Sequence, residues 1–239
     1  MNPKSPTYSP CETCLVAREC IFAGLEQKHQ RRLRRAVRVY RIERGQGVFY
    51  EGSPALAVQC IIDGSVKLHK IGQKQEPYVI RLLGPGDIMS YRPVLADEPY
   101  SATAEAIRST TICNIPRDTF LALIDGSAEL SRRFLAKFGM ELRVSEEQTL
   151  AVSQQSVRQR IARLLLSLVE KCAAPEHRGA VIGCELSRVE MAQMVGTTPE
   201  TFSRTLRSMA QDKVLEVDRV MVRVCDMMAL RRIAGKKHS

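Results

Sequence analysis

"LSRVEMAQMVGTTPETFSRTLRS", residues 186–208, holds two helix starts separated by one helix stop. Ser187 followed by Glu190 makes a capping box, in which each side chain satisfies the other residue's backbone N–H. Gly196 stands where the first helix must end on a left-handed residue. Thr198 then opens a second helix, with Pro199 in the first turn, where its missing N–H is harmless. Met191, Val195 and Phe202 fall where two short helices pack across a tight turn, so the pattern reads as a helix-turn-helix. The second helix leaves Glu200, Ser203, Arg204 and Arg207 outside the packed face. A polar, basic face of that kind suits the major groove of DNA.

Working outward, "VLEVDRVMVRV" (214–224) alternates apolar and polar residues across a hairpin and adds a wing. Upstream, helical signals run from about Ala128 to Lys171, with neither Gly nor Pro after Gly139. Ser156 with Gln159 forms another capping box, so one helix ends near 153–156 and a new one, "VRQRIARLLLSLVEK", begins. Phe134, Phe138, Leu142, Ser145, Thr149 and Val152 recur every three or four residues along the first of these helices. That stripe is narrow and partly polar, the form of a seam between paired helices, and the six residues are expected at a dimer interface.

From 37 to 120 the texture is different. Short alternating segments such as "GVFYEG", "VQCIIDGSVKLHKI" and "TTICNIP" are punctuated by Gly, Pro and Asp, which predicts an antiparallel sandwich or barrel. Residues 25–44 carry seven arginines over a predicted helix and strand, and a solvated basic face is expected there. The domains expected are a cysteine-rich segment over 1–25 and a β-roll over 26–127. A dimerisation helix over 128–155 and a winged helix-turn-helix over 156–239 follow.

The chain has 239 residues, 44% of them hydrophobic, so it can bury real cores. No apolar run approaches the ~18 residues of a membrane span, and "MNPKSPTYSP" lacks the apolar core of a signal peptide. A cytoplasmic protein with no membrane partner is expected. The net charge of +10 points to a polyanionic partner. There is no nucleophile–His–Asp set, no phosphate-cradling Gly loop and no HExxH, so an enzyme is not expected.

Three of the eight cysteines sit in "CETCLVAREC", at the spacing Cys-x2-Cys-x5-Cys of Cys11, Cys14 and Cys20. In a reducing compartment such a cluster is more readily metal-binding or redox-active than structural. The residues alone leave three readings: an iron–sulfur cluster, a zinc site, and a redox pair at Cys11 and Cys14. Cys60, Cys172, Cys184 and Cys225 lie singly in apolar segments and read as buried small hydrophobes.

A roll of short strands, a long helix and a winged helix-turn-helix, in that order, resemble the Crp/Fnr superfamily of transcription regulators. "ERGQGVFYEGS", "IIDGSVKLHKI" and "LLGPGDIMSY" are similar to its turn-and-strand framework. The resemblance implies an α+β fold: an antiparallel β-roll of the cupin-like cyclic-nucleotide-binding type, the dimerisation helix, and the C-terminal DNA-binding domain. "CETCLVAREC" together with "TTICNIP" resembles the oxygen-sensing FNR branch. That implies a [4Fe–4S] cluster on Cys11, Cys14, Cys20 and Cys113. "PETFSRTLR" resembles the FNR recognition element, which implies palindromic double-stranded DNA of the TTGAT-N4-ATCAA kind. Thr198, Glu200, Ser203, Arg204 and Arg207 would lie at that interface, in a homodimer acting with RNA polymerase.

Three positions depart from the pattern. Tyr91 and Tyr100 stand where cyclic-nucleotide-binding members carry Glu and Arg, so no cyclic nucleotide is expected; without that Arg a buried phosphate goes unpaired. Glu19 replaces the leucine that shields the cluster in FNR. Ser145 replaces an aspartate that opposes helix pairing. The alternative is a regulator of the same fold that senses another small molecule, its cysteines holding zinc or acting as redox thiols.

Overall fold

The computed structural model describes Cys14, Val16 and residues 20–72, 77–172, 174–176, 179–183, 186–218 and 221–235. Two compact units divide the chain: Met1–Lys70 with Arg81–Glu141, and Ile71–Ile80 with Leu142–Ser239.

The first unit opens with helix α1 (Gln27–Ala36), whose Leu33 is buried while Arg31, Arg32 and Arg35 face solvent. Strands β1 (Arg38–Ile42), β2 (Gly47–Phe49), β3 (Ala57–Asp63), β4 (Val66–Ile71), β5 (Pro77–Leu83) and β6 (Ile88–Met89) follow. After helix α2 (Tyr91–Ala96) come β7 (Thr103–Ala106) and β8 (Thr110–Pro116). The strands form two four-stranded sheets, ordered β1-β8-β3-β6 and β2-β7-β4-β5. Their short length and glycine-marked turns give the expected roll, since each half-buried strand must put its apolar face toward the other sheet. Val58, Ile61, Val66, Ala104, Ala106 and Ile112 are fully inside it.

Helix α3 (Arg117–Gly126) closes the roll with Phe120 and Leu123, and α4 (Ala128–Gln154) follows. The first turns of α4 belong to the roll's core. Leu130 is fully buried, and Phe134 is 2% exposed, packed edge-on to Phe120 and tilted against Phe22 and Tyr91. Phe138 lies 5.3 Å from the Tyr91 ring centroid. This corrects the expected seam: Phe134 belongs to the roll's core and Phe138 leans the same way. Sequence spacing finds a stripe but not which neighbour covers it. Leu142, Ser145, Thr149 and Val152 are exposed, as are Leu135 and Leu150.

The second unit contains α5 (Val157–Cys172), β9 (Ala174–Glu176), β10 (Gly179–Gly183), α6 (Arg188–Met194), α7 (Pro199–Gln211), β11 (Leu215–Val217), β12 (Met221–Val224) and α8 (Met227–Ile233). The Ser156 and Gln159 box closes at 2.9 and 3.2 Å and starts α5 where expected. The wing is a four-stranded sheet, β11-β12-β10-β9, larger than the single hairpin that the sequence predicts. Cys225 is exposed rather than buried, because it follows the last wing strand. Among the described residues no helix is long and apolar enough to cross a membrane.

Candidate functional site

The recognition element is built by local chemistry. Ser187 Oγ accepts from the Glu190 N–H at 3.1 Å, and Glu190 Oε2 accepts from the Ser187 N–H at 2.7 Å. Gly196 takes a φ of +65°, and Thr198 Oγ1 caps α7 by accepting from the Thr201 N–H at 3.3 Å. Met191, Val195, Phe202, Leu206 and Met209 are buried beneath the pair. Arg160 donates to the carbonyls of Val195 (2.7 Å) and Gly196 (3.2 Å), which fixes the turn. Arg158 grips the far end of α7 through Asp212 at 2.6 Å and Ser208 at 3.2 Å.

That framework leaves one face of α7 open. Thr198, Glu200, Arg204 and Arg207 are exposed and Ser203 is half-exposed. Among the described residues no ion pair engages Arg204 or Arg207, so both guanidinium groups can meet an external anion or a base edge. Glu200 sits in the first turn of α7, where the helix dipole favours a carboxylate.

The second candidate region is on the first unit. Cys11 lies outside the described residues, as does Glu19. Cys14 and Cys20 are half-buried, and Cys20 packs against the roll's core, which contains both Cys60 and Cys113. Cys60 on β3 and Cys113 on β8 are direct antiparallel partners. Interaction with the Cys60 thiol pulls the Cys20 thiol down to about 7, and the same interaction, reinforced by burial, pushes Cys60 well up. Burial raises Cys14. Among the described residues no three His, Cys, Asp or Glu side chains are gathered closely enough to hold a metal ion.

The chain just after Cys20 is fastened to α4. Arg133 Nη1 donates to the carbonyls of Ile21, at 3.1 Å, and Ala23, while its Nη2 meets Glu129 at 2.6 Å. Phe22 is buried between Phe120 and Phe134. Residues 21–23, just after Cys20, and the first turns of the long helix therefore share a core.

Residues 39–127 match the cyclic nucleotide-binding domain and residues 159–233 the Crp-like helix-turn-helix domain. The chain belongs to the Crp/Fnr family. Among its relatives is the "Anaerobic regulatory protein" of Pasteurella multocida, 23% identical over 94% of this chain and 82% of that one. Another is the "CRP-like cAMP-activated global transcriptional regulator" of Mycobacterium tuberculosis, 25% identical over 92% of this chain and 98% of its own. The fold is that of FixK2 from Bradyrhizobium japonicum, with a TM-score of 0.71 at 19% identity, covering 83% of this chain and 97% of that one.

As a Crp/Fnr protein, this chain is a DNA-binding transcriptional regulator and not an enzyme. In the roll, the two tyrosines noted above are buried. Tyr91 is 2% and Tyr100 6% exposed, and Tyr100 stacks on Phe49 with ring centroids 4.2 Å apart. Ser101 is exposed. Cys60 is buried, as its apolar segment predicts. Sequence reasoning overlooked Arg133, Arg158 and Arg160. For Arg133 only its i,i+4 neighbour Glu129 was readable; the other contacts are to backbone carbonyls or distant side chains.

Proposed function

We propose that this Crp/Fnr protein is a homodimeric regulator that senses oxygen or nitric oxide through a [4Fe–4S] cluster and binds TTGAT-N4-ATCAA-like palindromes. The observation that carries the sensing claim is the packing of Cys20 on the core that holds Cys113. A leader thiol thus packs against the core to which the strand thiol belongs. Every candidate donor there is sulfur, a soft set that fits iron–sulfur or zinc and not a hard cation. Cys11, Cys14, Cys20 and Cys113 would hold the cluster. When bound, it supplies an oxygen-reactive centre whose loss removes the tie between leader and roll.

The chain's own residues do the rest. Cys20 positions the leader, and Phe22 with Arg133 passes that position to the first turns of α4. Leu142, Ser145, Thr149 and Val152 lie free on the exposed run of α4 and would form the seam with a second copy. Arg204 reads guanine bidentately, Glu200 accepts from a cytosine amino group, and Ser203 contacts a neighbouring base edge. Thr198 and Arg207 lie within reach of phosphates, and RNA polymerase is the expected partner at the promoter. Tyr91 and Tyr100 stand, buried, where cyclic-nucleotide-binding members carry Glu and Arg, which supports a different signal.

The experiment is a gel shift on a TTGAT-N4-ATCAA duplex with anaerobically purified protein, repeated after exposure to air, with visible absorbance and metal content measured in parallel. A brown protein whose binding weakens in air supports the proposal. A colourless, zinc-loaded protein whose binding ignores air overturns the sensor and leaves DNA binding intact.

A further inference from the structure

We infer that the arginine face of helix α1 is a second DNA-contacting surface, in which Arg31, Arg32 and Arg35 hold the phosphate backbone of double-stranded DNA without reading its sequence. The inference adds a contact on the first unit to the base-reading face of α7. It is independent of the cluster and of the half-site sequence.

Lys28, Arg31, Arg32 and Arg35 follow one another at i, i+3, i+4 and i+7, so they line one side of α1 over about 10 Å. His29 and Leu33 are buried on the other side, and no acidic residue interrupts the helix. Lys28 is partnered by Glu26 at 3.1 Å. Among the described residues no carboxylate, carbonyl or hydroxyl engages the guanidinium groups of Arg31, Arg32 or Arg35, and all three residues are exposed. Past the helix end, Arg38 Nη1 donates to the carbonyls of Arg35, at 3.4 Å, and Val37, at 3.0 Å. Those bonds hold a fourth exposed arginine back toward the last turn of α1. Arg41 marks the limit of the face, since Ser109 at 2.7 Å and Glu43 at 3.7 Å already engage it.

A charged helix face is commonly plain solvated surface, but such faces mix their signs. Here like charges stand one turn apart, where they repel and weaken the helix. Of the three arginines only Arg35 lies in the last turn, where the helix dipole offsets that repulsion. The residue type is also selective: a guanidinium fork grips phosphate oxygens in pairs, whereas an ammonium acts as a point charge. A duplex carries one charge per ~1.7 Å of its axis, so several phosphates fall within the length of the face. The exposed positions of α1 are Gln27, Lys28, Arg31, Arg32 and Arg35, with no apolar or aromatic residue among them. A protein partner would want an aromatic or aliphatic anchor at the dehydrated centre of its contact, whereas phosphate contacts are polar and wet. DNA is the polyanion that a transcriptional regulator meets, and contacts to its phosphates fix position without carrying sequence information.

The test uses the full-length protein as wild type and with Arg31→Ala, Arg32→Ala and Arg35→Ala combined. Fluorescence anisotropy measures binding to a long random-sequence duplex, and to the same duplex carrying TTGAT-N4-ATCAA, at several salt concentrations. The variant should bind the random duplex on the order of tenfold more weakly at low salt, with the salt slope reduced by about one for each arginine lost. Its loss on the palindrome-bearing duplex should match, leaving the preference between the two unchanged. Arg31→Lys, Arg32→Lys and Arg35→Lys together keep the charge without the fork and should recover part of the affinity. Arg31→Gln, Arg32→Gln and Arg35→Gln, which keep the stems, repeat the measurement if alanine disturbs α1. Wild-type affinity and slope in the neutral variants would overturn the inference, as would a loss confined to the palindrome, which a phosphate contact cannot produce. Unchanged DNA binding beside weaker capture of purified RNA polymerase would give the face to a protein partner and overturn it too. The random-sequence arm stays decisive even if the half-site proposed above is wrong.

Discussion

Arg81 Nη2 lies 2.8 Å from Glu141 Oε1, an ion pair that joins strand β5 of the roll to helix α4. Lys137, one turn earlier on the helix, is 3.2 Å from the same oxygen. The Glu141 side chain is only 14% exposed. Burial alone would raise its carboxyl, but the neighbouring Arg81 and Lys137 charges and the Tyr91 hydroxyl outweigh it and hold the group down at about 2. A carboxyl depressed in the folded state stabilises it above the unfolded value of about 4.3. That contribution fades as pH falls toward the folded value. Glu141→Gln should therefore destabilise the protein at neutral pH by about 1–2 kcal/mol, discounted for the partly exposed Arg81. Urea melts of both proteins, repeated down to about pH 2, should show the gap closing through the acid range. A gap that stays constant would mean that the pair contributes nothing through charge.

Arg204 and Arg207 are one turn apart on the open face of α7, yet they should fail differently. Arg204→Ala removes the proposed guanine contact and should cost about 1–3 kcal/mol on the TTGAT duplex while relaxing preference at that base pair. Arg207→Ala should weaken binding evenly across sequences and reduce the salt slope by about one. Fluorescence anisotropy on the palindrome and on duplexes with the guanine replaced, at several salt concentrations, separates them. Identical losses on every duplex for both variants would remove Arg204 from base readout.

What could be read from sequence divides along physical lines. The helix-turn-helix was legible because its signals are local: Ser187 and Glu190 cap each other, Thr198 caps its own helix, and Gly196 needs only its own φ. The roll was legible as a rhythm of short strands and turns. Non-local facts were not. Whether Phe134 faces a partner helix or Phe120 depends on how α3 docks, which no periodicity records. That Cys60 faces Cys113 depends on the β3–β8 register. Strand β9, carrying Pro175, and strand β10 are short and give little alternation to detect. Cys225 read as buried because its neighbours are apolar, but the strand ends just before it.

Gly64 and Gly52 both sit at positive φ, +98° and +80°, but only one is crowded. A Cβ on Gly64 would lie 2.5 Å from Thr110 Cα and 2.7 Å from the Ser109 carbonyl, whereas Gly52 has nothing within 4 Å. Thr110 is fully buried, and its hydroxyl accepts from the Ser65 N–H at 3.1 Å, so the backbone there cannot retreat without breaking that bond. Gly52→Ala should cost about 1–2 kcal/mol, the left-handed penalty alone. Gly64→Ala should cost about 3 kcal/mol or more, because steric displacement adds to that penalty. Thermal and urea melts of the two variants check the ordering, and equal losses would show that the Thr110 contact relaxes freely.

Phe134 and Leu142 lie eight residues apart on α4 and were read from sequence as one seam; the structure separates their roles. Phe134 is 2% exposed amid Phe22, Tyr91 and Phe120, while Leu142 is 63% exposed. Truncating Phe134 removes a ring from the roll's core and should cost about 3–5 kcal/mol of stability, whatever the protein concentration. Leu142→Glu removes no core contact within the chain and adds a charge to a stripe proposed to meet its own copy. It should leave the melting of dilute protein nearly unchanged while shifting sedimentation toward the monomer, and DNA affinity should fall with it because two half-sites need two recognition helices. Sedimentation velocity beside calorimetry distinguishes the two. A Leu142→Glu protein that sediments and binds DNA as the wild type does would remove the exposed run of α4 from the dimer interface.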